Sequence, residues 1–200
     1  MIVSKNEIKK QLNNDELNKI AHLMAEAFKE HPVLSKVFSN NKSLEILFTC
    51  FLKVINNEGD ILLKKIDGEI IGVLTFMEPK NGEDINFIRL MKYSFIDTMK
   101  FLVVSFRDIR RIISYLNNYS QKEHIQGKNI HLLQAAVLPE YKGKGFMSEL
   151  FHLADDYYSD FDAVVLETTD QFNVGLYEHL GYNQVQKIDN LMIFKKDMEG

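Results

Sequence analysis

Lys142-Gly143-Lys144-Gly145 is the stretch of this sequence best suited to do chemistry. An apolar run from Ile130 to Leu138 stops at Pro139 ahead of it, and a segment with helical spacing starts at Phe146. Strand, glycine loop and helix in that order leave loop amides unpaired and let a ligand approach the backbone. They also aim a helix dipole at negative charge. Two lysines add mobile positive charge, so the loop reads as a cradle for the pyrophosphate of a coenzyme. It is not a Walker loop, because no Lys-Ser or Lys-Thr pair closes it. It is not the dinucleotide fingerprint either, because no third glycine follows. A glycine pair alone more often serves a tight turn, so the weight falls on its company.

Positioning that loop requires the elements around it. Asn13, Asn14 and Asp15 offer caps for a helix whose apolar stripe runs through Leu17, Ile20, Ala21, Met24, Ala27 and Phe28, after a short edge strand within 2–10. His31-Pro32 ends that helix, a short helical piece covers 33–38, and Ser43 is placed to cap another over 44–56. Ile61 to Ile66 and Glu69 to Met77 flank Asp67-Gly68, a strong hairpin signal. Residues 85–117 then step by threes and fours through Ile88, Met91, Phe95, Thr98, Leu102, Phe106, Ile109, Ile113 and Leu116. This predicts one long helix, or two in series, packed on the sheet or closing over a substrate site. A membrane span is rejected, since Asp97, Lys100, Arg107 and Asp108 interrupt the run. Arg107, Arg110 and Arg111 read as a solvated face, with coenzyme phosphates or an acidic partner as the alternative. After the loop come a helix over 146–158, a strand from Ala163 to Leu166, and a helix from Asn173 to Leu180 with Gly181 at its end. The final hairpin turns at Asp189-Asn190.

With 200 residues, 46% hydrophobic and 26% charged, the chain suits one domain spanning 1–200 with a helical insert at 85–125. A net charge of −4 weighs against nucleic acid as a partner. The single cysteine, Cys50, lies in an apolar run and reads as a buried, inert thiol. The N-terminus has no apolar core of signal-peptide length, so a reduced, cytoplasmic setting is expected. The histidines show no metal-ligand spacing, and no metal is expected.

HLLQAAVLPEYKGKGFMSEL followed by LETTDQFNVGLYEHLGY resembles the coenzyme-binding half of the GNAT N-acetyltransferase superfamily. The family loop reads Gln or Arg, x, x, Gly, x, Gly or Ala. Here Gly145 fits, as does the Val137-Leu138-Pro139 lead-in; Lys142 replaces Gln or Arg, and Met147 replaces the closing small residue. Met147 keeps its amide, but its side chain must turn away from the coenzyme. Asn173, Tyr177 and Gly181-Tyr182 fall at the spacing of N-x-x-x-Y-x-x-x-G-[FY], which puts Asn173 and Tyr177 on one helix face. The ending and the insert look most like small-molecule acetyltransferases of the puromycin-acetyltransferase kind. The resemblance implies an α/β fold: a mixed, mostly antiparallel sheet with a parallel central strand pair, flanked by helices, with a helical insert before the fourth strand. It also implies acetyl-CoA as co-substrate.

Acetyl transfer to an amine needs a bound thioester, a neutral nucleophile and a proton for the departing thiolate. On the resemblance, Lys142, Gly143, Lys144, Gly145, Phe146 and Met147 hold the pyrophosphate. Ala135, Ala136 and Val137 pair their backbone with the pantetheine arm, and Asn173 bonds its amides or orders a water. Tyr177 is the candidate general acid, protonated at neutral pH. For the base, Glu167 is preferred over Glu78, Gln134 and Asp170 because it sits near a strand's C-terminal end, and His131 is read as structural. The expected activity is acetyl transfer to a primary amine of a small molecule. A peptide or protein N-terminus, or a non-catalytic acyl-CoA sensor, is the alternative. Neither nucleic acid nor membrane is expected as a partner, and a homodimer is compatible with the chain.

Overall fold

The computed structural model describes residues 4–9, 11–79, 85, 87–108, 110–112 and 125–198. Strand β1 (Ser4–Lys9) leads into helix α1 (Asn14–Phe28). Asn13 caps α1: its side chain accepts from the Glu16 amide at 3.0 Å, and Glu16 accepts back from the Asn13 amide at 3.2 Å. A one-turn helix α2 (Leu34–Val37) precedes α3 (Asn41–Glu58). The cap of α3 is Asn40 and not Ser43; the Ser43 amide donates to the Asn40 side chain at 2.8 Å, so α3 starts three residues earlier than its sequence suggests. Strands β2 (Asp60–Ile66) and β3 (Glu69–Met77) form the expected hairpin, and both Asp67 and Gly68 adopt positive φ.

Helix α4 (Phe87–Val104) is followed by β4 (Asn129–Val137), α5 (Phe146–Tyr157), β5 (Ala163–Thr168), α6 (Val174–His179), β6 (Asn183–Ile188) and β7 (Leu191–Asp197). All seven strands join one sheet in the order β1-β2-β3-β4-β5-β7-β6, and β4–β5 is its parallel pair. Side chains alternate across the strands, so each strand feeds two cores. On one face α1 and α3 bury Ile20, Met24, Leu52 and Ile55 against Ile61, Leu63, Val73 and Met77. On the other, α5 and α6 bury Phe151 and Tyr177 against Leu74, Phe76, Val164, Leu166 and Phe194.

Helix α4 departs from its expected packing. It lies on α3, kinks at Ser94 (φ −141°, ψ 39°), and leaves Ile88, Phe95 and Phe106 exposed. The buried positions are Ser94, Thr98, Phe101, Ser105, Asp108 and Ile112, which also step by threes and fours. The apolar stripe read from sequence is therefore largely the outer face. Ile109, Ile113 and Leu116 of that stripe lie outside the described residues.

Candidate active site

The site begins with a fault in strand β4. His131 pairs with Met77 and Leu132 with Phe76, but Gln134 pairs with Thr75, so Leu133 is an extra residue. Such a bulge bends its strand. Pairing between β4 and β5 ends at Leu132–Leu166, while β5 continues against β7 through Glu167–Ile193 and Thr168–Met192. Beyond that point β4 runs on to Val137 paired with β3, and among the described residues no strand pairs with its other edge. Ala135, Ala136 and Val137 thus present main-chain donors and acceptors to a cleft between parted parallel strands, the geometry that strand-like ligands use.

That edge delivers the chain to the glycine loop. The Leu138 amide donates to Ile71 at 2.9 Å, a single 3-10 turn spans Pro139–Tyr141, and α5 starts at Phe146. Gly143 and Gly145 take φ of +74° and +82°, and a Cβ built on either would meet no atom within 4 Å. Left-handed backbone, and not crowding by the protein, is what requires glycine there. Among the described residues no side chain caps the N-terminus of α5, so the amides of Phe146 and Met147 remain donors beside an open approach. Lys142 and Lys144 are exposed; the Lys144 ammonium rests 4.9 Å from the Tyr141 ring centre. The Met147 side chain packs into the α5–α6 core, the inward turn its position demands.

Tyr177 lies in the same core as Met147 and Ala135. Its ring is held by Phe194, Phe151 and Tyr182 at 5.6, 6.1 and 6.3 Å between centres. Burial pushes its hydroxyl up to about 12, and the Asp170 carboxylate adds in the same direction. Asp170 caps the 3-10 turn Gln171–Asn173 by accepting from the Phe172 amide at 3.0 Å, and α6 follows directly. Asn173 is half-buried at the start of α6, one helical turn before Tyr177.

The base candidates separate. Val164 and Leu166 face α5 and α6, so alternation turns Glu167 to the α1 side of the sheet, opposite Tyr177. Gln134 accepts from the Thr75 hydroxyl on that same side, and His131 lies opposite Val165. Glu78 instead lines a cavity of about 690 Å³ with Glu58, Asp60, Tyr157 and Phe161. That cavity lies at the end of the sheet remote from the glycine loop. Glu167 and Tyr177 thus lie on opposite faces of the sheet, which parts between β4 and β5 beyond Leu132–Leu166.

Residues 19–182 match the Acetyltransferase (GNAT) family. The chain belongs to the GNAT family. No curated protein matches it in sequence. Among solved structures it is similar to a Corynebacterium glutamicum protein described as histone acetyltransferase HPA2 and related acetyltransferase. The two are 18% identical over 98% of this chain and 97% of the other, with a TM-score of 0.64. It is also similar to the PaiA N-acetyltransferase of Thermoplasma acidophilum in complex with coenzyme A (16% identity, 96% and 99% covered, TM-score 0.57). A third is the ribosomal-protein-S18-alanine N-acetyltransferase of Escherichia coli (13%, 98% and 96%, TM-score 0.54). At these identities the likeness is one of fold.

GNAT enzymes use acetyl-CoA. The uncapped α5 terminus, the left-handed glycines and the free β4 edge fit that co-substrate. Two residues of this GNAT chain escaped sequence reading. Lys64 on β2 is only 2% exposed and pairs with Glu149 in the first turn of α5, its ammonium 5.2 Å from the Phe146 ring centre. In sequence it was one of two lysines in a strand, and nothing distinguished it. His31 is half-buried at the end of α1, and its Nδ1 accepts from the Val33 and Leu34 amides, both at 3.3 Å. Burial lowers its pKa, and Asp170 acts against that shift. The ring is neutral with its proton on Nε2, which makes it a donor and not a base. Its only sequence signal was the adjoining Pro32.

Proposed function

We propose that this GNAT enzyme transfers an acetyl group from acetyl-CoA to a primary amine of a small molecule by direct attack on the thioester. The observation that carries the reading is the free β4 edge beyond Leu132, which runs straight into the uncapped α5 terminus. A main-chain edge can align an amide-bearing pantetheine arm as an added strand, and the helix terminus then meets the pyrophosphate. Backbone amides of residues 135–137 polarise the thioester carbonyl. Lys142 and Lys144 contribute charge, and Asn173 bonds the arm's amides.

Tyr177 donates its proton toward the sulfur as the C–S bond breaks, while the new N–C bond forms from the other side of the gap. Glu167, on the α1 side, first takes a proton from the acceptor's ammonium, directly or through one water, which frees the nitrogen lone pair that attacks the thioester carbon. The small-molecule preference rests on the few polar groups on that side: His31, His131, Gln134 and Glu167, all half-buried. Incubation with acetyl-CoA and a panel of aliphatic amines, aromatic amines and short peptides, scored by thiol release and product mass, tests it. Acetylation of free amines above peptides supports the assignment. Peptide N-termini acetylated in preference to every amine would move the acceptor to proteins, and acetyl-CoA binding without turnover would leave a sensor.

A further inference from the structure

Helix α4 and the turn after it carry their polarity the wrong way round for a core helix. The side toward α3 holds Ser94, Thr98, Phe101, Ser105 and Asp108, all buried. The Ser94 hydroxyl bonds the Leu90 carbonyl at 3.0 Å and lies 3.3 Å from that of Thr98. The outer side holds Ile88, Phe95, Ile96, Val103 and Phe106, exposed by 76, 55, 67, 78 and 76%. Single exposed apolar residues are ordinary, but Phe95, Ile96 and Val103 after the kink, with Phe106 in the turn beyond, form a cluster of the kind that makes a contact surface.

The charges sort in the same sense. Both carboxylates of this segment turn inward: Asp97 pairs with Lys53, and Asp108 accepts from the Ser39 amide at 3.0 Å and from its hydroxyl at 2.8 Å. Of the exposed cations, Lys92 lies 3.9 Å from Glu58 and Lys100 lies 3.3 Å from Asp97, while Arg107 and Arg110 are exposed next to Val103 and Phe106. The outer face is thus apolar and cationic on a chain whose net charge is −4.

We propose that this face docks on an anionic lipid surface. Apolar side chains framed by lysine and arginine are what an interfacial helix presents to a bilayer, entering the headgroup region while cations meet the lipid phosphates. A second copy fits less well, because a two-fold contact would bring together two faces that each carry Arg107 and Arg110. The attachment is peripheral: no helix among the described residues is long and apolar enough to cross a membrane.

Vesicle co-sedimentation tests this with the full chain, comparing phosphatidylcholine alone with phosphatidylcholine mixed with phosphatidylglycerol. The wild type partitions onto the mixed vesicles and not onto the neutral ones. Binding weakens as added salt shortens the screening length from about 10 Å to about 3 Å. The pairs Val103→Ser with Phe106→Ser, and Arg107→Glu with Arg110→Glu, each lower partitioning about tenfold or more. Their thermal midpoints stay near wild type, because all four side chains are exposed. Absence of wild-type binding to the mixed vesicles, or wild-type partitioning by both variants, overturns the proposal. A dimer in sedimentation velocity that Phe106→Ser abolishes, without vesicle binding, assigns the face to a second copy.

Discussion

Replacing Tyr177 with Phe removes one oxygen from a ring whose packing against Phe151, Phe194 and Tyr182 is otherwise kept. Burial and Asp170 hold the hydroxyl at about 12 against an ordinary 10, which disfavours the phenolate by about 3 kcal/mol. The group therefore enters the reaction protonated across the neutral range. Complete transfer to a thiolate of ordinary pKa, about 8.5, would run uphill by roughly 5 kcal/mol. Tyr177 accordingly works as a hydrogen-bond donor with partial transfer, which points to the low end of acid catalysis, about 10²-fold in kcat or near 3 kcal/mol. The assay is thiol release at saturating acetyl-CoA and amine, with the coenzyme Kd measured by calorimetry. A drop of about a hundredfold in kcat with Kd unchanged is expected. A kcat within about threefold of wild type refutes the role, and a matching rise in Kd would show that the hydroxyl only binds.

Other residues give independent checks. Lys64→Met leaves the Glu149 carboxylate, itself 49% exposed, unneutralised at the α5 terminus. The coenzyme Kd should rise about five- to tenfold with kcat little changed, and Glu149→Gln in the same chain should restore it. Gly145→Ala forces a side chain into a φ of +82° in open space. Calorimetry should show a loss of about 1 kcal/mol of stability together with weaker coenzyme binding, whereas unchanged affinity would make the loop only a turn. Lys65 and then Lys5, each 2.9 Å from Glu7, hold its carboxyl down to about 2. That stability is present above the ordinary 4.5 and is lost as pH falls toward about 2, so Glu7→Gln should flatten the thermal midpoint over this range. For Tyr177 the sign reverses: stability is lost as pH rises from about 10 toward about 12, and the Phe variant should lack that slope.

The glycine loop and the helix that carries Tyr177 were legible because their signals are local. Glycines at 143 and 145 mark left-handed backbone, and the four-residue step from Asn173 to Tyr177 marks a helix face. The Asp67-Gly68 hairpin and the parallel β4–β5 pair follow from turn chemistry and element order in the same way. What escaped depends on contacts between distant parts of the chain. Lys64 is buried because Glu149, 85 residues away, meets it. The inner side of α4 is polar because Ser39 and Lys53 supply partners for Asp108 and Asp97. Periodicity reports that a helix has two faces; which one turns inward was decided by those partners. The charges that argued against a membrane span, Asp97, Lys100, Arg107 and Asp108, say nothing of which face of the helix turns outward.

The central claim is that acetyl-CoA lies along the β4 edge with its pyrophosphate at the α5 terminus. Amide hydrogen exchange with and without acetyl-CoA tests it most directly, because unpaired main-chain donors are the ligand's proposed partners. Slowed exchange confined to Ala135–Val137, Gly143–Met147 and the turn into α6 is the predicted result. Protection instead around Glu58, Asp60 and Tyr157 at the far end of the sheet, or none at saturating acetyl-CoA, would contradict it.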